Sequence, residues 1–199
     1  MNFNLWIDSL TKSVPTFKKE KKKVNLGEGA LHMAIAGLIT GFITGLYQMV
    51  IGSAITSQLF PMASGFVGVA AFLATLILTP IWFVISWLIV SGILYIFALL
   101  FGGKGNYTTQ SYLYAIYNAP LSIITTILAL IPFVGPFLVF IVMLYGLYLL
   151  TMALKIAHNY TTGRAVLTWL APVLIIVVVL VTIGVAILSF ILGSFVGPV

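Results

Sequence analysis

Long apolar runs fill the chain beyond its N-terminal stretch, and they constrain the fold more than any other feature. A helix that crosses a bilayer needs about 20 consecutive apolar residues, because its backbone hydrogen bonds close internally while its side chains face lipid. Only 6% of the 199 residues are charged, whereas 62% are hydrophobic. A soluble domain carries about 25% charged residues to cover its surface. We therefore expect an all-α, polytopic transmembrane helical bundle.

The apolar runs predict five spanning helices that follow a short amphipathic N-terminal tail. Turn residues separate the runs, most clearly in Gly102-Gly103-Lys104-Gly105 and in the segment 52–64. The tail covers residues 1–29 and the transmembrane domain covers 30–199. The predicted spans are residues 30–51, 65–101, 108–131, 137–157 and 165–195.

The second run leaves two alternatives open, one long helix kinked at Pro80 or two short spans. As a single helix it would reach about 54 Å, well beyond the roughly 30 Å of hydrocarbon. With five spans, Lys104, Lys155 and Arg164 lie on the same side as the N-terminal lysines, and with six they do not. The positive-inside rule favours five. We expect a multi-pass protein of the plasma membrane, with a cytoplasmic N-terminus and an external C-terminus.

The N-terminal tail carries apolar residues at helical spacing, and Pro15 divides it into two short helices. One interpretation is a packed or partly disordered tail. The favoured one is an amphipathic helix in the headgroup plane, whose lysines meet anionic lipid headgroups. The residues expected to contact lipid are then Trp6, Lys18, Lys19, Lys21, Lys22 and Lys23.

Several kinds of chemistry are excluded by composition. The chain has no cysteine, and none of its three acids, Asp8, Glu20 and Glu28, lies in a predicted span. Intramembrane aspartyl proteolysis, a zinc protease motif and most proton-coupled carriers need residues that are missing. The net charge of +6 is concentrated in the tail, so it does not indicate nucleic acid. We expect no catalytic site and no cofactor.

The two histidines are weak candidates for a metal or haem site near one membrane face. Glu28 lies one helical turn before His32, and Lys155 lies one turn before His158. The favoured alternative is two interfacial histidines that share no ligand.

Polar residues form stripes on the third and fourth predicted spans. Because polar groups in lipid are costly unless they face protein or water, both stripes are expected to point into the bundle. The alternatives are hydrogen bonding that fixes packing, which is favoured, and a small polar path. The stripe residues are Ser111, Tyr114, Asn118, Ser122, Thr125, Tyr145, Tyr148 and Lys155.

Two further patterns concern helix packing and helix starts. Gly37, Gly41 and Gly45 recur at four-residue spacing and allow close backbone contact, either within the bundle, which is favoured, or between protomers. The sequence Asn-Tyr-Thr-Thr occurs at 106–109 and again at 159–162. We expect both copies to begin helices, because Asn and Thr side chains satisfy free backbone N–H groups.

Several of these short motifs resemble the Yip domain family of Ypt/Rab-interacting proteins, in its prokaryotic, archaeal branch. The similarity lies in the turn Gly102-Gly103-Lys104-Gly105 after an apolar helix end, in Pro120 of the next helix, and in the basic loop at Gly163-Arg164. The resemblance implies a five-span bundle with a cytoplasmic N-terminus. The family's Asp-Leu-Tyr-Gly-Pro motif is missing before the first span, which argues against a Rab-dependent role in vesicle traffic.

Two functions of different classes follow from these observations. The first is a non-enzymatic membrane scaffold or adaptor, with a role in membrane organisation or a trafficking-like process. Its partners would be the lipid bilayer, anionic lipid headgroups, and other membrane proteins or a second copy of the chain. The alternative is a small-solute or ion transporter or channel, with a polar path along the third and fourth helices around Asn118.

Overall fold

The computed structural model describes residues 3–52, 54 and 64–195, and its regular structure there is entirely helical. Most of the predicted break at 52–64 lies outside the described residues. A five-residue π-helical segment, Gln48–Gly52, extends the third helix. The α-helices in order are α1 (Phe3–Thr11), α2 (Ser13–Glu20), α3 (Leu26–Tyr47), α4 (Ser64–Leu100), α5 (Tyr107–Ala129), α6 (Gly135–His158) and α7 (Thr162–Phe195).

Five of these helices are long and apolar enough to cross a membrane, which confirms the predicted fold class. The second is one continuous helix of 37 residues with Pro80 inside it, so the two-span alternative is wrong. Helix α3 starts at Leu26, four residues before the predicted boundary at Ala30, and includes Glu28. The spans are Leu26–Ile51, Phe66–Leu100, Tyr107–Ala129, Gly135–His158 and Thr162–Leu192.

Asparagine side chains begin two of the spans. The Asn25 side chain accepts a hydrogen bond from the Gly27 N–H at 2.8 Å, and Asn106 accepts one from Thr109 at 2.7 Å. Such caps satisfy backbone donors that a helix start leaves free. The prediction for the second Asn-Tyr-Thr-Thr copy was wrong in its details. Asn159 ends α6 with a left-handed backbone, φ +52°, and α7 begins three residues later.

Close contact between α3 and α4 depends on the predicted glycine stripe. A Cβ atom on Gly37 would lie 2.5 Å from the Pro80 Cα, and one on Gly41 would lie 2.7 Å from the Thr75 carbonyl oxygen. Gly45 lies against Thr75 and Phe72 in the same way. The stripe therefore packs within the bundle. Helix α3 also packs on α5, α5 packs on α6, and α7 packs on α4 and α6.

The N-terminal helices form a docked pair rather than a free tail. Helix α1 packs on α5 and α2 packs on α6. Trp6 is 6% exposed and Phe17 is fully buried. Pro15 lies in the first turn of α2, where a missing N–H costs nothing. The apolar face of the pair is therefore packed on the bundle itself. Its position in the headgroup plane stays a prediction.

One end of the bundle gathers the basic residues, and we call it the basic end. It comprises α1, α2, the starts of α3, α5 and α7, and the ends of α4 and α6. The Lys21 ammonium group donates to the Ile156 carbonyl oxygen at 2.6 Å, and the Lys104 N–H donates to the His158 carbonyl oxygen at 3.2 Å. These contacts place the tail and both basic loops together, as the five-span arrangement requires.

Candidate functional site at the basic end

A cavity of about 400 Å³ lies between the docked pair, the start of α3 and α5. Helices α1 and α2 form one wall, and Tyr112 of α5 closes the other. Leu31, a half-exposed side chain of the spanning helix α3, lies at its edge. The charged and imidazole side chains that line it are Asp8, Lys19, Glu20, Lys23, Glu28 and His32.

All three acidic residues of the chain line this one cavity. The Tyr112 hydroxyl donates to a Glu20 carboxylate oxygen at 3.2 Å, which holds that carboxylate at the wall. Among the described residues, the one ion pair within 4.0 Å joins Asp8 to Lys12, an exposed lysine outside the cavity, at 3.9 Å. The cavity therefore holds carboxylate and ammonium groups that do not neutralise one another directly.

His32 is 6% exposed and is fixed from behind by the docked pair. The Trp6 indole N–H donates to its Nδ1 at 2.8 Å, so the ring proton is on Nε2. No hydrogen bond from that Nε2–H is found among the described residues. The ring thus presents an unused donor in the wall of the cavity.

His158 lies at the centre of a second, closed polar network at the basic end. Its Nδ1 accepts from the Gly105 N–H at 3.2 Å, so Nε2 carries the proton and donates to Gln110 Oε1 at 2.7 Å. The Gln110 amide then donates to the Ser91 carbonyl oxygen at 2.8 Å. The His158 ring also stacks on Tyr160, with centroids 5.4 Å apart. This network ties α4, α5 and α6 together.

The predicted turn motif docks on this histidine. Gly102 has a φ of +80°, which favours glycine, and a Cβ on Gly103 would lie 2.6 Å from His158 Nδ1. A Cβ on Gly105 would overlap the Ala157 carbonyl oxygen. Lys104 remains exposed between these glycines. The glycines therefore let the turn lie against the end of α6 while the lysine faces outward.

Two titratable groups beside this network have shifted pKa values. Burial lowers the pKa of Lys21, which donates to the Ile156 carbonyl oxygen and to Asn159 Oδ1. Burial raises the pKa of Tyr160, and its hydrogen bond to Thr168 partly offsets that shift. Both side chains hold the ends of α6 and α7 in position.

Neither histidine offers a free nitrogen lone pair to a metal in these tautomers. His32 uses Nδ1 to accept from Trp6, and His158 uses both ring nitrogens. The described residues contain no group of three or more His, Cys, Asp or Glu side chains that could hold a metal ion. The two histidines occupy separate networks, and Glu28 is exposed at the cavity.

The predicted polar stripe on α5 lines a groove of about 360 Å³ between α5 and α6. Tyr114, Asn118, Ser122 and Thr125 all contribute to it, whereas Ser111 is fully buried elsewhere. The Ser122 and Thr125 hydroxyl groups donate to carbonyl oxygens of their own helix. The Asn118 carboxamide makes no hydrogen bond among the described residues. The groove shares no lining residue with the basic-end cavity.

The stripe on α6 was expected to point into the bundle, but its tyrosines lie on the exposed surface. Tyr145 is 41% exposed and Tyr148 is 46% exposed, and their rings stack 5.9 Å apart. The Tyr145 hydroxyl donates to the Leu10 carbonyl oxygen, and the Lys155 ammonium group donates to Thr162. The physical reason is that these long side chains reach polar partners in α1 and α7 without turning into the core.

The residues expected to contact lipid divide into two groups. Lys18, Lys19, Lys22 and Lys23 are exposed on the docked pair or directly after it. Trp6 is instead buried against protein, and its indole N–H donates to His32. Lys21 is half-buried against α6.

The fold and this site define a multi-pass α-helical membrane protein. Residues 7–184 match the Yip1 domain, and the chain belongs to that family. The predicted resemblance to the Yip domain family is thereby confirmed. No curated protein and no solved structure matches the chain.

Neither the cavity nor the closed network follows from the sequence patterns described above. Gln110 and Ser91 belong to neither predicted stripe, although a glutamine near the start of a span is a polar group that needs a partner. The three acids all lie outside the predicted spans. Their positions on α1, α2 and the start of α3 were the available signal, since a docked tail brings those segments together.

Proposed function

We propose that this Yip1-domain protein is a non-enzymatic membrane scaffold or adaptor whose basic end binds anionic lipid headgroups. One observation carries the proposal: the N-terminal pair is docked on the bundle, and Lys18, Lys19, Lys22 and Lys23 are exposed on it or directly after it. Lysines near a membrane surface each contribute about 1 kcal/mol of attraction to an anionic leaflet. By the positive-inside rule the basic end faces the cytoplasm of the plasma membrane, and the C-terminus is external.

The contacts inside the basic end support a structural role for its polar groups. His158, Gln110 and the Lys21 ammonium group are all bonded to backbone or amide atoms of neighbouring helices. Groups committed to such bonds hold helices together and are not poised for proton transfer to a substrate. A scaffold needs this kind of fixed surface, because it offers partners a preformed geometry.

The far part of the molecule supports an adaptor role. Residues 173–192 of α7 are exposed along their whole length. Such a helix is satisfied by lipid, and it is also free to pack against spans of other membrane proteins or of a second copy. The proposal therefore assigns lipid contact to the basic end and protein contact to the lipid-facing helices.

The test is the lipid selectivity of the reconstituted protein. Spin-labelled phosphatidylglycerol and phosphatidylcholine are compared by electron paramagnetic resonance for association with the protein. We expect enrichment of the anionic lipid, and we expect the variant Lys18→Gln/Lys22→Gln to lose a large part of it. Removing residues 1–23 is a poor test, because it would also remove the buried Trp6 and Phe17. Equal selectivity in variant and wild type would contradict the proposal.

The alternative function, a small-solute or ion transporter, is favoured by the Asn118 carboxamide, which lines the groove between α5 and α6 and makes no hydrogen bond within the part of the chain that the structure describes. A path across the membrane would need to extend from this groove to both membrane faces. Flux of ions and small solutes into proteoliposomes tests it, and Asn118→Leu should reduce that flux. A protein that binds anionic lipid and shows no flux supports the scaffold.

A further inference from the structure

We propose that the basic-end cavity binds the zwitterionic headgroup of an aminophospholipid, with the ammonium group on Glu20 and Glu28 and the phosphate on Lys19, Lys23 and His32. The proposal extends the proposed lipid-binding function to one defined site, and it rests on that function. The exposed lysines attract anionic lipid without selecting a headgroup. The cavity adds carboxylates and ammonium groups, which can bind the two opposite charges of one headgroup.

The carboxylates of the cavity suit a cationic group. The protein has a net charge of +6, yet its three acids are gathered at this one place beside the most basic segment. Glu20 is held by the Tyr112 hydroxyl, and Glu28 is exposed in the first turn of α3. Carboxylates grouped in this way attract a cation with N–H donors, and charge-assisted hydrogen bonds to such a donor are the strong kind.

His32 and two lysines of the cavity suit an anionic group. The side chain is more than nine-tenths buried, Trp6 fixes its tautomer, and its Nε2–H has no partner among the described residues. Among the described residues, the fully buried side-chain atoms without a hydrogen bond are Ser91 Oγ and Ser111 Oγ, so the His32 Nε2–H is open to the cavity and available to a bound group. In the cavity wall this donor suits an anionic oxygen, and the ammonium groups of Lys19 and Lys23 line the same cavity. Together these groups match a phosphate.

The position of the cavity indicates that the ammonium group and the phosphate belong to a lipid. The cavity lies at the start of the spanning helix α3, and the half-exposed Leu31 of that helix lies at its edge. A headgroup bound here leaves its acyl chains along the apolar surface of α3. The volume of about 400 Å³ leaves room for a phosphate and an ammonium group joined by a two-carbon bridge.

The test uses the full-length protein in phosphatidylcholine vesicles that contain a small fraction of a photoreactive phosphatidylethanolamine. We expect labelling of peptides from α1, α2 and the start of α3. Unlabelled phosphatidylethanolamine should compete about tenfold better than phosphatidylcholine, because the methylated ammonium group has no N–H to donate. Equal competition by the two lipids would overturn the proposal. Effective competition by soluble glycerophosphoethanolamine would overturn the assignment to lipid.

Matched variants separate this site from the exposed lysines. Glu20→Gln/Glu28→Gln should lower the labelling about tenfold while keeping anionic-lipid enrichment, since Gln still accepts from Tyr112. Should the double variant unfold, Glu28→Gln alone changes an exposed carboxylate and should lower the labelling. Lys18→Gln/Lys22→Gln, two lysines that do not line the cavity, should lose anionic-lipid enrichment and keep the labelling. If it loses the labelling as strongly as Lys19→Gln/Lys23→Gln, the defined site is disproved.

Discussion

The basic end and the opposite part of α7 are built from the same kind of helix but held in different ways. At the basic end, helices are joined by side-chain hydrogen bonds, such as that from the Trp87 indole to the Ser111 carbonyl oxygen at 2.9 Å. The Tyr107 hydroxyl donates to the Leu88 carbonyl oxygen in the same region. In contrast, residues 173–192 of α7 are exposed on every face. Contacts with other helices hold the basic end in place, whereas residues 173–192 are left to contact lipid.

This difference shows which contacts determine how the helices pack in a membrane protein with so few polar residues. Apolar side chains gain little by choosing a protein neighbour over lipid, so packing has to come from polar groups and close backbone contact. The polar contacts are concentrated at the basic end, whereas the close backbone contact at Gly37, Gly41 and Gly45 lies deeper along α3. The far half of α7 needs no protein partner, because its backbone bonds are internal and its side chains suit hydrocarbon.

The largest expected effect comes from the residue that joins the docked pair to the bundle. Trp6→Ala should cost about 4 kcal/mol of the free energy that holds α1 in place, because a large buried ring and its bond to His32 are lost. Hydrogen–deuterium exchange should show faster exchange in Phe3–Thr11 and unchanged exchange in α7. Wild-type α1 amides that exchange as fast as an unstructured peptide would show that the pair is not docked.

Gly37→Leu and Gly184→Leu test the contrast between packed and lipid-facing helix surfaces directly. A side chain at Gly37 meets the backbone of Pro80, whereas a Cβ at Gly184 meets nothing within 4 Å. We expect the first change to cost about 3 kcal/mol and the second almost nothing. Unfolding in mixed micelles with SDS measures both. Similar losses at the two sites would mean that α7 has a partner in the membrane.

Two amides on α5 test whether polar groups in the two settings differ. Gln110→Leu leaves the His158 Nε2–H and the Ser91 carbonyl oxygen without a side-chain partner, and should destabilise by about 2 kcal/mol. Asn118→Leu removes a carboxamide that makes no hydrogen bond within the described residues. It should be neutral or stabilising in the same unfolding measurement. A large loss at Asn118 would reveal a bound partner in the groove.

The contrast also explains which features could be predicted from the sequence. Span number and the common side of Lys104, Lys155 and Arg164 follow from hydropathy and charge, which are properties of segments. Placement of Trp6 does not follow, because an amphipathic face fits a headgroup plane and a protein surface equally well. The partners of Gln110 and the meeting of Glu20 with Glu28 depend on how helices pack, and a single sequence does not show that. The role of Asn159 does not follow from the sequence either, because the same residue type suits a helix start and a left-handed helix end.

The smallest effect separates two neighbouring lysines at the basic end. Lys21 donates to the Ile156 carbonyl oxygen and to Asn159, where a cation also meets the negative end of the α6 dipole. Lys21→Gln should therefore destabilise by about 1 kcal/mol, whereas Lys22→Gln, at an exposed site, should change the unfolding free energy by less than about 0.5 kcal/mol. Lipid selectivity should respond in the opposite order, because only the exposed Lys22 is free to meet headgroups. A stability loss at Lys22 that matched the loss at Lys21 would mean that the exposed lysines also hold the fold, and that surface attraction and structural anchoring are not separate roles.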